Sequence, residues 1–448
     1  MDLRQRVTDV LPTVRADLED LVRIPSVSAL DEHADDVRRS AEATAELFRA
    51  EGLEVDIVAV EGGAPAVIAT RPAPEGAPTV LLYAHHDVQP VAAEDWASDP
   101  FEPTERGERL YGRGAADDKA GIAAHLAALR ALGDDCAVGV TVLVEGEEEI
   151  GSPTLGAFLE AYAERLRADV IVIADSTNWD IGVPALTTSL RGLVRATVEV
   201  RTLTHGVHSG MWGGLVPDAL MAMNRLLASL HADDGSVAVE GLVSGPASEL
   251  DYPEERLRAE SGATAGVHWI GSGTAVSRLW TQPSLTVTGL DAPRVQGASN
   301  TLAATSRAMI SMRIAPGDTS TSAFAALSRH LEQHAPWGAE VTVTFNDGGE
   351  AIALDASGST YDVARRAFTE AWDGTEPVDI GVGGSIPFIA EFLEAFPQAS
   401  VLVTGVEDPD TRAHGADEGL HLAEFARVCL AETLLLHHLA PHATSPTS

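Results

Sequence analysis

Four short apolar runs, each breaking off into residue types that bind metals, constrain this chain more than any other feature. Thr79–Ala84 runs into His85, His86 and Asp87, and Val138–Val144 runs into Glu147, Glu148 and Glu149. Val170–Ala174 ends at Asp175, and Ser400–Thr404 leads through VEDPDTRAHGADE to His414. Continuous apolar runs of this length read as strands buried on both faces. Most are followed by a polar turn and a helix, which predicts an α/β fold: a mixed, largely parallel sheet flanked by helices. Ligands of such sheets bind beyond the carboxyl ends of the strands, so the four turns are expected to converge.

A fifth element belongs with them. LYGRGAADDKAG places Asp117 and Asp118 in a Gly-rich turn ahead of a helix starting near Gly121. Imidazole and carboxylate donors without thiols suit zinc, manganese or cobalt. Buried like charges at a strand end are costly unless cations sit among them. In a strand-like His85-x-Asp87 both side chains point the same way, so His85 can hold a metal while Asp87 backs a neighbour. Neighbouring side chains diverge, so one of Glu148 and Glu149 is expected on the metal and the other facing the reacting water. Taken alone, Asp117–Asp118 is also a turn with a helix N-cap, and His86 has no assigned role.

At 448 residues the chain is too long for one ordinary core. Between residues 191 and 350 the texture changes to alternating strands, ATVEV, SLTVTG, MISMRI and EVTVTF, with helices expected over Pro217–His231 and Ser320–His334. Strand, helix, strand, strand, helix, strand is a split βαβ unit, an α+β ferredoxin-like domain inserted into the first. The expected domains are therefore 1–190, 191–350 and 351–448, with Ala232–Thr281 an irregular excursion. The formal charge of −37 argues against nucleic acid and anionic membranes as partners. The single lysine, Lys119, reads as composition bias in an Arg-rich chain. Two cysteines make no disulfide framework, and no membrane span or signal peptide is read, so a cytoplasmic location is expected. His125 and His231 read as structural or surface histidines, and GVHSG around Ser209 is no nucleophile elbow.

From IPSVS at Ile24 to AHGADE at Ala413 the chain resembles the co-catalytic zinc metallopeptidases. These include carnosinases and other dipeptidases, glutamate carboxypeptidase, acetylornithine deacetylase and aminoacylase. YAHHDVQP, GRGAADDKAG and EGEEEIGS look like that family's three site motifs, in the same order. The resemblance implies two divalent ions, zinc first, with His85 and Asp175 as ligands of one, Glu149 and His414 of the other, and Asp117 bridging. It implies Glu148 as general base to a bridging hydroxide and Asp87 as the residue orienting His85. THGVHSGMWGG resembles the family's HSGxxGG element, which makes the inserted domain a lid and dimerisation domain whose His208 reaches a partner subunit's site. Arg313, Asn300 and the GGSIP loop, with Gly384 and Ser385, match positions associated with the substrate carboxylate. Ala84 and Asp417 depart from the usual Gly and Asn. The long excursion and the HHDVQP and GGSIP wording look closest to the dipeptidases. An N-acyl-amino-acid deacylase using the same site is the nearest alternative, and a non-catalytic binding protein on the same fold the remote one.

Overall fold

The computed structural model describes residues 2–92, 95–246, 250–384 and 387–440. Ser385 lies outside the described residues. Two compact units divide the chain: Met1–Thr188 with Asp355–Ile380 and Pro387–Ser448, and Ser189–Leu354 with Gly381–Ile386.

The first unit is built on a mixed sheet. Its strands run in the order Glu54–Val58, Ala66–Arg71, Gly139–Glu145, Thr79–His85, Val170–Ile173, Ser400–Val403, followed by the strand beginning at Ala185. The four central strands from Gly139–Glu145 to Ser400–Val403 are parallel, and antiparallel strands close both sides. Every residue of Gly139–Glu145 is buried, as a strand covered on both faces requires. Val80, Leu82 and Ala84 join the large core beneath the helices Leu3–Val22, Lys119–Leu132 and Leu422–Leu439. Tyr83 points the other way, with Phe388 and Phe392 packed on its ring at centroid distances of 4.5 and 5.3 Å.

The helix Lys119–Leu132 is buried along nearly its whole length, with only Arg130 reaching out. Alanines at 120, 123, 124, 127, 128 and 131 let the neighbouring helices approach it closely, as a helix apolar on all sides demands. Its first residue, Lys119, is fully buried and donates from Nζ to the carbonyls of Leu21 (2.8 Å) and Ile24 (2.7 Å). The lone lysine thus ties down the carboxyl end of the first helix, adding to the Ile24 N–H that already donates to the Leu21 carbonyl at 3.0 Å. Burial pushes its ammonium down to about 7.

His125 is also wholly buried, its Nδ1 2.8 Å from Glu432 Oε1 and its Nε2 3.1 Å from the Tyr83 carbonyl oxygen. The Tyr83 carbonyl can only accept, so Nε2 donates to it, and Nδ1 faces the Glu432 carboxyl. Burial favours the neutral ring, but the Glu432 carboxylate outweighs it and raises the His125 pKa. A raised folded-state value means stabilisation that is complete below the unfolded value and is lost as pH rises through the folded one. The thermal midpoint gap between wild type and His125→Gln/Glu432→Gln is therefore expected to shrink by roughly 1–2 °C per kcal/mol lost as pH rises from about 6 through the raised folded value. A gap that widens over that range would contradict this.

The second unit carries a four-stranded antiparallel sheet in the order Ser284–Leu290, Thr305–Ile314, Gly192–Arg201, Glu340–Gly349. Alternate residues Val194, Ala196, Val198 and Val200, with Ala308, Ile310, Met312 and Ile314, face a core closed by the helices Ala219–Ala228 and Ser320–Gln333. The excursion is less irregular than its composition indicates, because Glu254–Ser261 and Ala275–Trp280 are helical. The first buries none of its residues and the second has six, so neither leaves an apolar period to read. Among the described residues no helix is long and apolar enough to cross a membrane.

Candidate active site

Strand register sets the site in the first unit. His85 stands opposite Glu145, Tyr83 opposite Ile173, and Ile173 opposite Val403, so the parallel strands end at nearly one level. The turns leaving that level bring two groups of side chains together. Single donor atoms of His85, Asp117 and Asp175 lie within 4.8 Å of one another, and so do those of Asp117, Glu149 and His414. Asp117 is common to both. Its Oδ1 is 3.1 Å from His85 Nε2, and its Oδ2 is 3.0 Å from His414 Nε2. Glu149 Oε2 is 3.2 Å from the same His414 nitrogen.

Asp87, fully buried, holds this arrangement from behind. Its carboxylate accepts from the backbone N–H groups of Glu148 (3.2 Å) and Glu149 (3.1 Å), and Oδ1 lies 3.4 Å from His85 Nδ1. The three consecutive glutamates divide accordingly. Glu147 accepts from the backbone N–H groups of Ala64 (3.0 Å) and Thr154 (2.8 Å) and fastens the turn. Glu149 accepts from Gln89, at 3.1 Å from its backbone N–H and 2.7 Å from its side chain. Glu148 alone has a carboxylate with no hydrogen bond among the described residues. His86 takes no part: its Nε2 meets the Pro65 carbonyl at 2.8 Å, and burial pushes it down to about 4. Asp118 is the N-cap residue of the Lys119–Leu132 helix, as the turn reading expects, but its side chain makes no capping bond and instead accepts from the His85 N–H at 3.3 Å.

The electrostatics fit a cationic guest. Burial pushes Glu148 up to about 9 and Asp175 up to about 7, with neighbouring carboxylates adding to both shifts. Burial and the nearby Asp117 and Asp175 likewise raise Glu407. Burial alone would raise Asp117 too, but the His414 and His85 rings outweigh it and hold that carboxyl well below the ordinary range. His414 is driven up to about 11 by Asp117 and Glu149. A cluster in which acids stay protonated and imidazoles charged for want of compensation is one that divalent ions would relax. His85, Asp117, Asp175, Glu149 and His414 supply nitrogen and oxygen donors only, as zinc, manganese or cobalt accept.

Within the second unit, His208 is exposed, pairs in register with Thr301, and its Nδ1 accepts from the Gly210 N–H at 3.0 Å. The Asn300 carbonyl accepts from the Ser209 N–H at 2.9 Å, so Asn300 and His208 are neighbours. Arg313 stands opposite Ser284 and Leu193 in the sheet. Arg191, which sequence reasoning missed, is buried and donates to carbonyl oxygens of Gly383 (3.2 Å), Arg278 and Gln282 (both 3.4 Å) and to Ser284 Oγ (3.0 Å). Burial, with the like charge of Arg313, pushes it down to about 10. A Cβ at Gly383 would come within 2.9 Å of Arg191 Nη2, so a side chain there would require that guanidinium to shift, and Gly384 follows it. Gln89, Arg113 and Glu418 were missed as well, although each lies inside a motif already noted.

Carboxylates and imidazoles gathered at the strand ends of an α/β sheet, all but the exposed His414 ring buried or half-buried, in two groups joined by one aspartate, define a protein of the metal-dependent hydrolase type. Residues 81–437 match the model of peptidase family M20/M25/M40, and the chain belongs to that family. It is 33% identical over 427 residues to a cysteinylglycine-S-conjugate dipeptidase of Corynebacterium striatum, covering 94% of each chain. With a Cys-Gly metallodipeptidase of Schizosaccharomyces pombe it shares 30% identity, over 81% of this chain and 80% of the relative. The crystal structure of human carnosine dipeptidase 1 is similar over 98% of both chains, with a TM-score of 0.78 and 25% identity.

Proposed function

We propose that this protein is a dipeptidase that hydrolyses the peptide bond of small peptides bearing a free carboxylate. The observation carrying that reading is the shared Asp117, whose two oxygens each face one histidine of a separate donor group. In this reading His85 and Asp175 hold one ion, Glu149 and His414 the other, and Asp117 belongs to both. Zinc is the first expectation, with manganese or cobalt as alternatives. Two such ions supply Lewis acidity for the scissile carbonyl and lower the pKa of water toward about 7.

The residues do the rest. Asp87 fixes the His85 ring by its Nδ1 edge, so Nε2 faces the centre. Glu148, with no hydrogen bond from its carboxylate among the described residues, takes a proton from the attacking water and passes it to the leaving amine. Arg313 and the loop at Gly384 and Ser385 anchor the substrate carboxylate, with Arg191 holding the Gly383 carbonyl in place. Asn300 steadies the segment bearing His208, which in a homodimer formed through the second unit donates to the oxyanion of a partner's substrate. Exposed Met211 and Leu215 next to His208 support such a contact.

The test is a panel of dipeptides, their C-terminal amides and N-acetyl amino acids. Dipeptides are expected to be cleaved, with the amides losing about a hundredfold or more in kcat/KM because they offer no carboxylate charge to the Arg313 guanidinium. Cleavage of N-acetyl amino acids alone would turn the assignment to a deacylase.

A further inference from the structure

The loop that carries His414 is an unfavourable piece of backbone. Arg412, His414 and Asp417 all have positive φ, at 59°, 61° and 55°. Left-handed conformations at non-glycine residues are costly and persist only where the surroundings enforce them. Asp417 Oδ1 accepts from the Ala97 N–H and from Arg106, and the densest set of contacts holding this loop converges on one carboxylate. Glu418 is wholly buried, and its Oε1 accepts from the backbone N–H groups of Ala116 (2.9 Å) and Asp117 (3.1 Å). Its Oε2 accepts from the Gly114 N–H (3.2 Å) and from Arg113 Nη1 (2.6 Å). Arg113, also buried, donates from Nη2 to the Gly415 carbonyl at 3.1 Å, and the Gly112 N–H donates to the Glu418 carbonyl at 3.1 Å.

Glu418 therefore stands on the His414 loop and holds the backbone of the Asp117 loop, while Arg113 stands on the Asp117 loop and holds the backbone of the His414 loop. With four donors on its two oxygens, it has little capacity left to act as a ligand itself. We propose that Glu418, paired with Arg113, is a positioning residue that sets the Asp117 carboxylate between the two histidines and thereby fixes the affinity of both ion sites.

This inference rests on the metal reading of the site, and the experiment separates the two. Zinc affinity is measured by chelator competition on the full-length wild type, Glu418→Gln and Arg113→Met, well below their melting temperatures, together with cobalt absorption spectra and steady-state kinetics on a dipeptide. In Glu418→Gln an amide N–H₂ must face donors that now meet oxygen. The expected result is a loss of about 10–100-fold in zinc affinity per folded molecule, a shifted cobalt spectrum, and a fall in kcat larger than any change in KM. Arg113→Met is expected to lower affinity in the same direction. Variants that melt earlier but bind zinc with wild-type affinity and an unchanged cobalt spectrum would overturn the proposal, leaving Glu418 a purely structural residue. A wild type that binds no zinc would overturn the metal reading instead.

Discussion

Replacing Glu148 by Gln is expected to lower kcat on a dipeptide by about a thousandfold while both ions stay bound. Of the three adjacent glutamates, Glu147 is committed to backbone groups and Glu149 to Gln89 and His414. The Glu148 carboxylate has no hydrogen bond among the described residues, at the same turn that Asp87 holds by its backbone N–H groups. A glutamine there preserves the turn, because the bonds to Asp87 come from the main chain. What it removes is a group able to accept and return a proton, so the loss should fall on kcat, with KM nearly unchanged. Near wild-type turnover in Glu148→Gln would remove it from the base role.

Asp117→Asn is expected to reduce metal binding as well as rate, because one change touches both groups. Each ion loses a charged donor, and His85 and His414 each lose the carboxylate that faces them at 3.1 and 3.0 Å. Removing one partner from buried charges leaves the others uncompensated, which costs about 3–5 kcal/mol in comparable cases. The variant should bind zinc at far below wild-type affinity and retain less than about 1% of activity. The measurement is metal content after gel filtration in metal-free buffer, alongside the rate. Full retention of two ions would mean that Asp117 does not join the sites.

Much of the site could be read from the sequence because its ligands follow strands of unbroken hydrophobicity. A fully buried run such as Gly139–Glu145 has few alternatives to a central strand, and parallel register then brings the next turns to one place. His85 and His86 could not be separated by type. The strand's alternation separates them, sending one ring to Asp117 and the other to the Pro65 carbonyl. Gln89, Arg113 and Glu418 escaped because their roles exist only through tertiary contacts; the Glu418 carboxylate serves backbone groups some 300 positions away. Arg191 escaped for the same reason, since its partners are carbonyl oxygens that no side-chain pattern records. Lys119, read as a composition effect, proved to hold the end of the first helix.

The most direct test of the account is to strip the protein with a chelator and return zinc in steps, following bound metal and dipeptide hydrolysis on the same samples. The arrangement around Asp117 predicts no hydrolysis in the stripped protein, two ions taken up per chain, and activity that appears as they bind. Hydrolysis that survives chelation unchanged, or a chain that takes up no ion, would contradict it.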